Sequence, residues 1–275
     1  MRRGSVLLAL ALAAGLTACT NEPVAMPPAA REPVPSSSTS SAAPSTSTPA
    51  PTTAKGPGGT TVPVFQQPYP FGTEQAKVPP IVDGKVPVIK HIETTKPYVF
   101  ITIDDGVVRD PTALGLMTSA GVRPTLFLNG VYVKDHTDYF KPLQDQAGVS
   151  VENHTTSHPD LRGKPYEFQK HEICGNADFL QQNYGKRATL FRPPFGNYDE
   201  NTRKAAADCG MKALVMWTAA VNDGVVQFQA GKQLKPGDIV LMHFRKTFVE
   251  DFEAFLHKAR ENGLTPVPLV DFLSV

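Results

Sequence analysis

The chain is short of cysteine, with three in 275 residues, too few for a scaffold held together mainly by disulfides. It also lacks excess charge of either sign. A formal net charge of +1 gives no sign of nucleic acid, or of an acidic polymer, as a partner. No apolar run reaches the roughly 20 residues that span a bilayer; the one from Val6 to Leu16 is too short. From Pro33 to Ala54 there is no charge at all, and 17 of the 22 residues are Pro, Ser or Thr. Such a stretch buries too little apolar surface to offset its ordering entropy. Histidine is scarce too, yet two of the seven, His154 and His158, stand four residues apart.

The N-terminus speaks to compartment. Arg2 and Arg3 precede the apolar run, as in a signal peptide. The run ends in Leu16-Thr17-Ala18-Cys19, which resembles a bacterial lipobox. The expected organisation is a signal peptide over 1–18, then a lipidated Cys19 with a Pro/Ser/Thr-rich tether over 19–75. A folded domain follows over 76–275. This places the protein on the outer face of the cell membrane, or outside the cell if Cys19 is incidental. Extended at about 3.1 Å per residue, positions 20–60 reach on the order of 100 Å. Cys174 and Cys209 remain, either as a disulfide or as two buried thiols.

The folded part repeats one phrase: helix, glycine, strand. Gly121, Gly148, Gly185, Gly210 and Gly263 each stand before a short apolar stretch. Asp110 before Pro111, and Thr247 with Glu250, read as helix starts. Phe248, Phe252, Phe255, Leu256 and Ala259 share one helical face. Ile81–Val86 reads as a hairpin around an Asp-Gly turn. Alternating strands and helices imply a parallel sheet. The expected fold is α/β: a small distorted or incomplete (β/α) barrel of about seven strand–helix units, with an open doubly wound sheet as the alternative. In both, chemistry gathers after the C-terminal ends of the strands.

Those positions hold Asp104-Asp105-Gly106, His154 and His158, Arg192, and His243. Two adjacent carboxylates at a buried strand end repel each other and call for a cation. One carboxylate and two imidazoles with a position left open make up a catalytic zinc site.

The motifs resemble those of the polysaccharide deacetylases, carbohydrate esterase family 4, over about residues 96–270. Thr102-Ile103-Asp104-Asp105-Gly106, His154-Thr155-Thr156-Ser157-His158, Arg192-Pro193-Pro194-Phe195 and Leu241-Met242-His243 follow one another in family order. The resemblance implies that Asp105, His154 and His158 hold one divalent metal, zinc by default. It makes Asp104 the general base, Arg192 the fork that steadies it, and His243 the acid for the leaving amine. Phe195 and Leu241 would contact the substrate. The implied reaction removes N-acetyl groups from an extracellular or cell-wall polysaccharide, with the membrane as a further partner through Cys19. The fourth family motif departs from the pattern. In Trp217-Thr218-Ala219-Ala220-Val221-Asn222-Asp223-Gly224, Ala220 and Gly224 replace an Asp and a Trp. His243 loses the acid that would raise its pKa, unless Asp223 substitutes. An O-acetyl esterase, or a glycan-binding lipoprotein with a weak site, stays open as an alternative.

Overall fold

The computed structural model describes residues 52–56, 59, 61–73 and 78–273. The signal peptide, Cys19 and the tether as far as Pro51 lie outside the described residues. Two short antiparallel strands come first, β1 (Thr53–Lys55) and β2 (Thr61–Pro63). Both lie before residue 76, in the segment read from the sequence as tether. Val62 is fully buried, and the Phe65 N–H donates to the Ala120 carbonyl. The valines and Phe65 have apolar surface to bury, which the Pro/Ser/Thr stretch before them lacks.

The main sheet uses β3 (Val88–Ile89), β4 (Tyr98–Asp105), β5 (Thr125–Leu128), β6 (Ser150–Asn153), β7 (Leu190–Phe191) and β8 (Ala213–Val215). To these it adds β9 (Ala219–Asn222), β10 (Val225–Phe228), β11 (Ile239–His243) and β12 (Thr265–Pro266). Between them run α1 (Ala113–Ala120), α2 (Gly130–Val133), α3 (Thr137–Ala147), α4 (Tyr166–Tyr184), α5 (Glu200–Asp208) and α6 (Phe248–Glu261). The strand order is β10-β9-β11-β4-β5-β6-β7-β8-β3, with β12 beside β4. Every pairing in it is parallel except β9 with β10.

The sheet curls into an incomplete barrel, as expected. Its helical repeat stops between β8 and β11, where the β9–β10 hairpin stands instead. The segment after β3 reaches back across the gap: His91 bridges Asp238, and the Ile92 N–H donates to the Gly237 carbonyl.

Strand alternation sorts the core into two layers. Val99, Ile101 and Ile103 of β4 pack with helix residues such as Leu116, Phe252 and Phe255. Phe100 packs inside the curl with Phe127, Leu190, Val215 and Ile239. The expected face of α6 is wholly buried. Gly121, Gly148 and Gly185 are left-handed helix caps, as expected. The Asp-Gly hairpin forms as a single bridge between Val82 and Lys85.

Two expected caps are corrected. Helix α1 starts at Ala113, and Asp110 instead accepts the N–H and hydroxyl of Thr112 one turn earlier. Thr247 makes no cap bond; its hydroxyl donates to Asp251. Asp251 is buried there and also accepts the Gly224 N–H. Among the described residues no helix is long and apolar enough to cross a membrane.

Candidate active site

β4 delivers Asp104 and Asp105 to the rim of the curl. In a regular strand they would point to opposite faces. Asp105 takes φ 77°, which breaks the alternation. Both acids then face one imidazole. His154 Nε2 lies 3.7 Å from Asp104 Oδ2 and 3.5 Å from Asp105 Oδ1. His158 Nε2 lies 3.3 Å from the same Asp105 oxygen.

His154 follows β6 directly. Its Nδ1 sits 2.7 Å from the Arg192 carbonyl, which can only accept, so Nδ1 carries the proton. Nε2 is left with its lone pair toward the acids, the arrangement of a metal-ligating histidine. Asp105 Oδ1 is buried without a hydrogen-bond partner. One ligand atom from each of Asp105, His154 and His158 lies within 4.8 Å of the others. Ligands about 2.1 Å from a tetrahedral ion stand roughly 3.4 Å apart. The 3.3 and 3.5 Å separations fit that spacing and are long for hydrogen bonds. The three residues therefore suit a divalent ion.

The histidine loop is braced from α4. Asn176 donates to Leu128 O and to Asn153 Oδ1, and Asn153 Oδ1 also accepts the Thr155 N–H. Glu172 accepts both the N–H and the hydroxyl of Ser157. Four of the six described non-glycine residues with positive φ are at this site: Asp105, Thr155, His158 and Phe195. Such conformations cost about 1–3 kcal/mol each, and the bracing network holds them.

Arg192 is fully buried beneath the cleft, over the rings of Phe127 and Trp217. It supplies the cation that the paired acids call for, with NH1 2.8 Å from Asp104 Oδ1. The expected two-pronged grip is not made. The same nitrogen also donates to Thr102, while Nε donates to the Val215 carbonyl and NH2 to that of Met216. A buried guanidinium must place all its donors, and the nearby strand end offers carbonyls. Gly196 lets Trp217 close against the turn after β7. A Cβ there would come 2.8 Å from the Trp217 ring, and φ is +70°.

β11 brings His243 opposite Asp104 in register. Leu241, Phe195 and His243 line one cleft of about 300 Å³ together with Asp104, Asp105, His154 and His158. A second groove of about 290 Å³, at Phe65, Phe71 and Arg123, contains no acid or histidine.

His243 Nδ1 is buried without a partner. Asp223 does not replace the missing acid. It is exposed at φ 52° in the β9–β10 turn, and no hydrogen bond or ion pair joins it to His243. An Asp-Gly pair with both φ positive makes the tight hairpin turn there, and that geometry holds Asp223 outward. Burial pushes His243 below its ordinary pKa; Asp104 opposes this and Arg245 adds to it. Burial also raises the Asp105 carboxyl, but His154 and His158 outweigh it and hold it well below the usual range. His154 shifts upward, with burial overcome by the two acids.

The sequence reading missed Asn153, Asn176 and Glu172, whose bracing contacts join β6 and its loop to α4, a partner set by tertiary packing. Arg245 was missed as well, although it stands two residues past His243 and lines the same cleft.

The sequence profile of the polysaccharide deacetylases matches residues 91–214, the stretch that carries Asp104, Asp105, His154, His158 and Arg192. Over that stretch, under half of its length, the chain is similar to polysaccharide deacetylases. An uncharacterized protein of Streptomyces coelicolor is 44% identical over 156 residues, 56% of this chain and 62% of its own length. The peptidoglycan-N-acetylmuramic acid deacetylase PdaA of Bacillus subtilis is 28% identical over 162 residues, 54% of this chain and 61% of its own. The chain thus spans less than two thirds of either relative. A carbohydrate esterase family 4 pseudoenzyme from Bacillus anthracis superposes with TM-score 0.59 at 23% identity, covering 68% of each chain. That likeness is one of fold. In this chain the acids, imidazoles and arginine of the motifs are all present and converge.

Proposed function

We propose that this protein is a metal-dependent hydrolase that removes N-acetyl groups from a cell-wall or extracellular polysaccharide. We further propose that it works at the outer face of the membrane, tethered through Cys19. One observation carries the reading: Asp105, His154 and His158 share ligand spacing, while Asp104 and His243 stand side by side on adjacent strands and line the same cleft. Relatives named as peptidoglycan and chitooligosaccharide deacetylases support the substrate class. A bound zinc ion would supply Lewis acidity and a water of lowered pKa.

The chain's own groups then handle the protons. Asp104 Oδ1 is engaged by Arg192, which leaves Oδ2 free to accept the proton of the attacking water. His243, on the adjacent strand, delivers a proton to the departing nitrogen, which leaves poorly as an anion. Leu241 and Phe195 border the cleft where the acetyl group sits.

To test this, the purified protein is stripped of metal, reloaded with Zn²⁺ and incubated with chitooligosaccharides and with peptidoglycan. Acetate release should vanish with chelation and return with zinc. Absence of acetate from every such glycan, with metal bound by elemental analysis, would sink the reading. The unpartnered His243 Nδ1 supports a second reading, hydrolysis of O-acetyl esters, because an alkoxide leaves more readily than an amine and needs less from the acid. Faster turnover of an aryl acetate than of any N-acetylated oligosaccharide would favour it.

A further inference from the structure

Resting on the deacetylase reading, we propose that Arg245 selects substrates whose sugar carries a carboxylate close to the acetamido group. The placement of Arg245 comes first. Phe244 is turned into the core, 5.4 Å from the rings of both Phe140 and Phe248. Its neighbours His243 and Arg245 both line the cleft.

The second observation is how Arg245 is held. Its NH1 donates to Asn222 Oδ1 at 2.9 Å, and Asn222 Nδ2 donates to Gln227 Oε1 at 3.2 Å. Asn222 is the last residue of β9, and Gln227 lies on the paired strand β10. One neutral amide, itself held by a second, therefore positions the guanidinium without neutralising it. Among the described residues no carboxylate lies within ion-pair distance of Arg245. The other arginine of the site, Arg192, is paired with Asp104 and buried. Other arginines of this domain that meet an acid, Arg187 and Arg203, are in ordinary surface pairs.

The third observation is the setting. The domain has lost the acid expected beside His243, and Ala220 stands in register with Leu241 instead. A positive charge next to a general acid opposes its protonation. A substrate anion on Arg245 would cancel that opposition at the moment of binding. A guanidinium with one N–H committed keeps four donors, enough for the two-point grip that matches a carboxylate. The sugar that fits is an N-acetylhexosamine with an ether-linked carboxylic acid on the hydroxyl beside the acetamide. A neutral N-acetylhexosamine leaves the guanidinium to water.

The test uses the full, zinc-loaded chain and the Arg245→Gln variant. NMR titration at low salt compares N-acetylmuramic acid with N-acetylglucosamine. The wild type should bind the acid about tenfold or more tightly, the size of a charge-assisted hydrogen bond. Salt should erode that preference, and Arg245→Gln should abolish it while still binding N-acetylglucosamine.

In parallel, acetate release is compared on peptide-stripped wall glycan and on chitooligosaccharide. The ratio of their kcat/KM values should fall about tenfold in the variant. Equal binding of both sugars by the wild type overturns the proposal. So does a preference that survives in Arg245→Gln, which would place the carboxylate elsewhere. Loss of both affinities in the variant would make Arg245 a structural residue and would overturn the proposal too. If neither glycan is hydrolysed but the binding preference holds and depends on Arg245, the deacetylase reading fails and the selectivity stands.

Discussion

Arg192 is the largest fully buried side chain among the described residues, and it neutralises an acid that would otherwise be buried alone. Burial lowers its pKa, and Asp104 opposes that shift. Each partner is tolerable inside the domain because the other is there. Arg192→Met keeps much of the volume and removes the charge. It should destabilise the fold by about 3–5 kcal/mol, the range for breaking a buried ion pair from one side. Urea denaturation of the metal-free protein measures this directly. A loss below about 1 kcal/mol would mean that Asp104 finds water or a proton at little cost. The need for this cation was readable from Asp104-Asp105 after an apolar strand. That it would come from Arg192 followed from the family resemblance. That it would spend most of its donors on Thr102 and two backbone carbonyls was not readable, because those partners are set by strand neighbours far away in the chain.

At the scale of elements, α4 does more than cover the sheet. Its buried polar residues Glu172 and Asn176 brace the histidine loop, and it is covalently tied to the end of α5. Cys174 and Cys209 form a disulfide across 35 residues of sequence. The sequence left that pairing open, since spacing alone says nothing of whether two sulfurs meet. Closing a loop of that length removes unfolded-state entropy equivalent to about 4 kcal/mol. The Cys174→Ser/Cys209→Ser variant should therefore lose stability of that order, read as a lower urea midpoint. Wild-type protein with reductant should move to the same midpoint. Coincident midpoints with and without reductant would show that the bond contributes nothing. Because Glu172 is two residues from Cys174, zinc affinity should be measured in the same variant.

For the whole molecule, one buried acid outside the site governs how stability tracks pH. Glu152 is the register partner of Phe127, and it accepts the N–H groups of Thr189 and Leu190, holding β7 against β6. Burial pushes its carboxyl up to about 7, although both N–H donors and Lys186 pull the other way. An unfolded glutamate titrates near 4.5. Between those values the folded chain keeps a proton that the unfolded chain has released. The stability from this group is complete below pH 4.5 and is lost as pH rises to about 7. Urea midpoints of the wild type minus those of Glu152→Gln should fall across that window and level off above it. A difference that stays flat with pH would refute this account.

The sequence by itself determined the kinds of residue, their order and their local setting. Apolar strands end in acids, imidazoles, an arginine and a histidine, and glycines close the helices before several of those strands. Those features are local, because strand and helix periodicities and cap residues act over a few positions. The motifs at the strand ends were therefore readable without coordinates. The tertiary structure alone decided what meets what. The parallel register of β4 with β11 sets His243 against Asp104, and β5 and β6 bring His154 level with Asp105. The positive φ at Asp105 turns a second carboxylate toward the imidazoles, the tight β9–β10 turn keeps Asp223 away, and an amide of the hairpin holds Arg245 over the cleft. Each of these joins residues far apart in the chain, or depends on a backbone angle that only the packed surroundings can hold, and neither is written in a local pattern.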